Sequence, residues 1–185
     1  MTYWPLRGVK TPHATTFLDS GYFAGYPNSA GLPTQPALKG YRHTGTDMNG
    51  PGACNSDEGD ALYTVRECQV EFASYAQNGT WGPVIVLEVF VEGRFWWVRY
   101  GHVNATSKKT GATVKVVKGQ KLTARQVLGF VGRGSWPCAH LHIDVFHAKP
   151  PSWLWWPTRY GAAAEVTKYC TDPDAWLRRL QAVSP

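Results

Sequence analysis

The sequence is poor in cysteine, in acidic side chains and in long apolar runs, and each shortage removes a class of protein. The four cysteines, Cys54, Cys68, Cys138 and Cys170, form no CxxC pair, which excludes a cysteine-built zinc ribbon or finger. Free thiols are the expectation, as in a reducing compartment. No apolar run approaches the roughly 20 residues of a spanning helix, so no transmembrane segment is expected. The opening "MTYWPLRGVKTPHATT" lacks a basic start followed by an apolar core, so no secretory signal is expected either. Asp and Glu number 13 against 19 Lys and Arg, for a net charge of +6. That balance suits a polyanionic partner: nucleic acid, an anionic lipid surface or the acidic polymers of bacterial cell walls. The basic residues are scattered, with Lys108–Lys109 and Arg178–Arg179 the only close pairs, so no stripe for nucleic acid stands out.

What is abundant points to strands. Nineteen Gly, 13 Pro and 14% aromatics in 185 residues describe turns and short strands rather than long helices. A chain of this length forms one domain and buries roughly 70% of the surface its unfolded form exposes. Residues 1–40, with five prolines, are expected to wrap rather than fold alone. Residues 59–103 alternate β-branched, aromatic and polar residues between the turn signals "QNGTWGP" and "VEGR", a pattern of antiparallel strands. The fold class read from this is mainly β, an antiparallel sandwich or barrel-like sheet closed by a short C-terminal helix. The β domain is expected over 1–147, with the aromatic loop "KPPSWLWWPTRYG" and a helix in 148–185 packed on it. Asp172 and Pro173 mark the helix start. Trp176, Leu177, Leu180 and Val183 mark its apolar face.

The chemistry begins at "PCAHLHIDVF", residues 137–146. Strand alternation puts His140, His142 and Asp144 on one face and Leu141, Ile143 and Val145 on the other. Three titratable groups in a row must be solvated, paired or bound to something. A solvated strand face is one reading, and a metal is the other, since neutral imidazole is the commonest metal-binding side chain. "GYRHTGTDMNG" places His43 and Asp47 four apart, and "RYGHV" adds His102. An early HxxxD, a middle GH and a late HxH can supply three protein ligands with a fourth position for water, the pattern of a catalytic zinc site. Cys138 is close to His140 in sequence, but that set leaves it unnecessary.

In the order and spacing of these motifs the chain resembles the lysostaphin/LytM type of zinc metallopeptidase, the M23 family of bacterial and phage peptidoglycan endopeptidases. The resemblance runs from about "YWPLRGV" to "DVF" and implies that family's β fold, built on a duplicated hybrid motif. It implies one zinc ion held by His43, Asp47 and His142, with His102 and His140 as catalytic histidines that do not bind the metal. Because no HExxH glutamate is present, His140 is expected to take the water proton and pass it to the leaving amine. His102 is expected to steady the oxyanion and share in proton transfer. Asp144 stands where the family has Glu in "HLHFE", and two readings of it stand side by side: a group that orients a histidine and a solvated strand carboxylate. Tyr100 and Trp136 are expected at the substrate groove, while His13 and His147 match no motif.

Two departures mark this chain. "GRGSWPCAHLHID" replaces the family's "GxTGxSTGPHLHFE"-like approach, and "GPGACNSDEGDALYT" forms an insertion-like loop after Asp47. The function expected is a zinc-dependent peptidoglycan endopeptidase, most economically a monomeric phage endolysin held in the host cytoplasm until lysis, with no specific nucleic-acid partner. The rivals are an N-acetylmuramoyl-L-alanine amidase or other zinc wall hydrolase, and a non-catalytic structural or activator protein of the same fold.

Overall fold

The computed structural model describes residues 4–8, 17, 43–52, 54–76, 82–134, 137–149 and 166–182. Ten strands and one helix are defined among these residues. In chain order the strands are β1 (Thr46–Met48), β2 (Ala61–Tyr63), β3 (Cys68–Ser74), β4 (Val84–Val91), β5 (Arg94–Gly101), β6 (Val103–Asn104), β7 (Lys121–Leu122), β8 (Val127–Val131), β9 (Leu141–Phe146) and β10 (Cys170–Thr171), and the helix is α1 (Pro173–Ala182). Every pairing is antiparallel. The larger sheet runs β1-β9-β5-β4-β3-β7 with β10 also on β9, and the smaller runs β2-β8-β6. This is the antiparallel β architecture with a short C-terminal helix that the composition predicts, and among the described residues the sheets do not close into a barrel.

The longest pairing, β4 with β5, turns on two residues, Glu92 and Gly93, between the paired Val91 and Arg94. Both turn residues have positive φ, 53° and 78°, which matches the right-handed twist of the flanking strands. The core gathers one face of the large sheet (Val70, Ile85, Leu87, Val98, Tyr100, Ile143 and Val145) with Leu62, Leu128 and Val131 of the small one. Trp176, Leu177 and Leu180 of α1 join the same cluster. The helix starts as expected, with the Asp172 carboxylate accepting the Asp174 N–H at 2.9 Å in an N-cap. Arg179 pairs with Glu92 of the β4–β5 turn. Leu6 bridges to Leu62 of β2 and is buried. Most of the N-terminal segment, the "WLWW" loop and Val183 lie outside the described residues.

The innermost chemistry lies on β9. All six of its residues are buried, with Leu141, Ile143 and Val145 in the core. Its opposite face, carrying His142 and Asp144, is equally dry.

Candidate metal centre

Strand register assembles the site. Asp47 of β1 pairs with His142 of β9, and on the other side of β9 Gly101 pairs with His142 and Arg99 with Asp144. Paired residues on neighbouring strands point to the same face. The β1–β9–β5 pairing therefore brings together groups from residues 47, 99, 142 and 144. β1 can approach this closely only with glycine at 45, since a Cβ there would lie 2.0 Å from the Ile143 carbonyl oxygen.

Three donor atoms form a nearly regular triangle. His43 Nε2 is 3.1 Å from His142 Nδ1, His142 Nδ1 is 2.9 Å from Asp47 Oδ1, and His43 Nε2 is 3.2 Å from Asp47 Oδ1. Ligands at about 2.0–2.2 Å from a tetrahedral centre stand about 3.3–3.6 Å apart. The triangle is therefore one face of such a tetrahedron, slightly contracted, and two imidazoles with one carboxylate are a zinc donor set. His43, Asp47 and His142 are also the one group of potential ligands found clustered among the described residues. All three are nearly inaccessible to solvent.

Behind the triangle stands a buried charge network. His142 Nε2 is 2.9 Å from Asp144 Oδ2, and the carboxylate is held in turn by the Arg99 guanidinium at 2.7 Å. Arg99 also donates to the Thr44 hydroxyl. A carboxylate accepting from one ring nitrogen directs the other toward a metal, the arrangement that fixes the tautomer of histidine ligands. Burial would raise the Asp144 pKa, but Arg99 and His142 outweigh it and hold the carboxyl far below its usual range. For His142, burial acts to lower the pKa, and Asp144 and Asp47 overcome it, pushing the imidazole up to about 9 in the metal-free protein. Burial likewise opposes the charge on Asp47, and the surrounding histidines win, so that it too titrates well below the ordinary value.

The remaining two histidines stand beside the triangle. The His102 and His140 rings are 4.5 Å apart, centre to centre, and His140 Nε2 is 3.7 Å from Asp47 Oδ1. His140 Nδ1 lies 3.0 Å from the Cys138 carbonyl oxygen. A carbonyl only accepts, so Nδ1 carries the proton there and Nε2 is the basic nitrogen of the neutral ring. Gly132 links the two histidine segments: its N–H donates to the His102 carbonyl at 2.7 Å, and its own carbonyl accepts the His140 N–H at 3.1 Å. A Cβ at Gly132 would stand 2.6 Å from the His102 carbonyl oxygen.

The structure brings His43, Asp47, His102, His140, His142 and Asp144 into one place. It does not bring Tyr100 there. Tyr100 pairs with Ile143, is fully buried in the core and donates its hydroxyl to the Tyr63 carbonyl at 3.0 Å. Regular alternation would put Tyr100 and His102 on the same face, but His102 has φ of 60°. That left-handed residue ends the alternation and turns its ring toward His140. Trp136 and His13 lie outside the described residues, and His147 follows β9, its N–H donating to the Tyr169 carbonyl.

The cysteines correct a second expectation. Cys54 and Cys138 are joined in a disulfide across 84 residues, while Cys68 and Cys170 are free and burial raises both thiol pKa values, that of Cys68 to about 12. The bond forms because the insertion-like loop after Asp47 packs beside the approach to His140. Arg99, which holds Asp144 behind the triangle, is a member of the cluster that the motifs do not reveal. Its only signal was a charge inside the apolar run "FWWVRYG", a position that demands a partner.

No protein-family profile matches the sequence, and no curated protein matches it either. Solved structures do. A zinc-containing peptidase from Vibrio cholerae aligns at a TM-score of 0.51 and 19% identity over 78% of this chain and 36% of its own. The antimicrobial peptidase lysostaphin of Staphylococcus simulans aligns at 0.50 and 17% over 77% and 47%. The solution structure of lysostaphin aligns at 0.51 and 18% over 75% and 44%. This chain thus spans between about a third and a half of those proteins. Their likeness establishes the fold, that of the M23 zinc metallopeptidases.

Proposed function

We propose that the protein is a zinc-dependent endopeptidase of bacterial peptidoglycan. The observation that carries the reading is the His43–Asp47–His142 triangle with two further buried histidines at its side. A structural zinc site is closed by four protein ligands, whereas three ligands and neighbouring acid–base groups describe a catalytic one. Bound by those three residues, zinc would activate water and polarise a peptide carbonyl. His140, whose Nδ1–H donates to the Cys138 carbonyl, offers Nε2 to accept the proton of the attacking water and returns it to the leaving amine. His102, seated against His140, donates to the oxygen of the tetrahedral intermediate as charge gathers there. Asp144 and Arg99 keep His142 oriented with Nδ1 inward.

Peptidoglycan as the substrate is supported by the lysostaphin likeness in fold and by the +6 charge, which favours a polymer rich in carboxylates and phosphates. Within the same reading the enzyme is lytic, of the endolysin kind, and acts as a monomer without a nucleic-acid partner. No helix among the described residues is long and apolar enough to cross a membrane.

The test is digestion of purified peptidoglycan from a Gram-negative wall and a glycine-bridged wall by zinc-loaded, chelated and His140→Ala protein, with products read by mass spectrometry. New amine ends within stem peptides or cross-links, dependent on zinc and His140, are expected. Release of intact stem peptides from the sugar strands would make it an amidase. Bound zinc with no product from either wall would make it a binding or structural protein.

A further inference from the structure

Residues 137–140 belong to no strand, yet they carry the carbonyl that faces His140 Nδ1 at 3.0 Å. Besides the bond from the His140 N–H to the Gly132 carbonyl, three ties hold them, all from two adjacent residues of the loop after Asp47. The Asn55 side-chain oxygen accepts the Ala139 N–H at 2.6 Å. The Asn55 amide donates to the Pro137 carbonyl at 3.2 Å. Cys54 is bonded to Cys138. Positions 137, 138 and 139 are thus each fixed from outside, and the Cys138 carbonyl is turned to His140 Nδ1 at 3.0 Å.

The anchor itself is firmly rooted. Two residues beyond Asn55, the buried Asp57 accepts the Gly50 N–H at 2.8 Å. The Gly59 N–H donates to the Val131 carbonyl at 2.8 Å, and the Gly59 carbonyl accepts the Ser107 hydroxyl at 2.6 Å. Asn55 holds a left-handed backbone, φ 67°, a region where asparagine is among the few side chains found regularly. The loop therefore runs from the sheet to the His140 approach and back, with Cys54 and Asn55 at the point of contact.

We propose that Asn55, together with the Cys54–Cys138 disulfide, is the positioning device of His140: it fixes the Cys138 carbonyl so that the imidazole is held as the Nδ1–H tautomer with Nε2 basic. In the opposite tautomer Nε2 already bears the proton and cannot take one from water. This rests on the reading of His140 as the proton acceptor of an endopeptidase. The role belongs to the loop and not to the metal ligands, so zinc retention and turnover separate when the device is broken.

The experiment uses zinc-loaded wild type, Asn55→Ala, Asn55→Asp and the double variant Cys54→Ser/Cys138→Ser. The His140 tautomer is read by long-range ¹H–¹⁵N NMR of the imidazole, and kcat and KM are measured on soluble cross-linked muropeptides. Asn55→Ala and the double serine variant are expected to lose the single Nδ1–H signature. Their kcat should fall by about tenfold or more, the scale of a misplaced catalytic group, with KM and zinc content unchanged. Asn55→Asp keeps the acceptor for Ala139 N–H and is expected to recover most of both, which also covers the case of an Asn55→Ala protein that does not fold. Wild-type kcat with an intact Nδ1–H signature in Asn55→Ala and in the double variant would overturn the proposal, as would a fall confined to KM. Should the wild-type protein cleave no muropeptide, the endopeptidase reading fails alone: the tautomer in the variants still decides the positioning role, loss of Nδ1–H supporting it and persistence overturning it.

Discussion

The metal triangle and the two flanking histidines are neighbours built in different ways. Asp47 and His142 are set by strand register, with the glycine at 45 allowing the close approach and the Arg99–Asp144 pair orienting the ring from behind. His102 and His140 sit at the ends of strands, held by backbone hydrogen bonds through Gly132 and by a carbonyl in an irregular segment. Register is a cooperative property of a whole sheet, whereas a loop contact rests on a few groups. Metal binding should accordingly resist changes that stop turnover.

The largest separation of the two halves comes from removing one member of each. His142→Ala deletes one donor of the triangle and, on the proposed function, is expected to abolish both stoichiometric zinc, measured by metal analysis after dialysis, and all wall hydrolysis. His140→Ala is expected to keep the zinc and lose about 10²–10⁴-fold in kcat, the usual contribution of general acid–base catalysis. Loss of zinc from His140→Ala would place that residue among the ligands and erase the distinction. Next in size is Asp144→Asn, which preserves shape but replaces the carboxylate that orients His142. Zinc affinity, followed by competition with a chromophoric chelator, is expected to drop about 10–100-fold. Its thermal midpoint should fall as well, because the buried Arg99 loses its counter-ion.

The most graded effect is one of pH, about tenfold for each unit. In the metal-free protein His142 titrates at about 9, with Nδ1–H donating to Asp47 and Nε2–H to Asp144. Zinc must displace the Nδ1 proton. Below pH 9 each zinc bound through His142 should release about one proton, and affinity should fall about tenfold per unit as the pH drops toward neutral. Calorimetry in buffers of different ionisation enthalpy measures the proton directly. The metal-free fold behaves oppositely. A pKa raised from 6.5 to about 9 gives stability that is fully present below about pH 6.5 and lost as pH rises through 9, so the thermal shift caused by zinc should widen with pH across that interval.

The sequence made the five chemical groups legible because histidines and aspartate stand out by type and come in a fixed order, and because period-two alternation puts His142 and Asp144 on one face. It could not show Arg99, whose partner lies 45 residues away in a register that only the folded sheet defines. The resemblance placed Tyr100 at the groove, but its side chain is buried in the core, and the left-handed His102 ends the strand's alternation beyond it. Four cysteines allow three pairings; only the packing of the 50–60 loop against residues 137–139 selects Cys54 with Cys138.

Gly132 carries a consequence for how such a protein can change. Its two backbone groups suspend His102 on one side and His140 on the other, and the space for its missing side chain is occupied by the His102 carbonyl. The backbones of the two histidines are consequently tied through a single residue, so a shift of one is passed to the other. Mutation cannot tune the spacing of the pair at this position by small steps. Variants with altered proton transfer must arise in the loops around the pair, while position 132 stays closed to every residue but glycine.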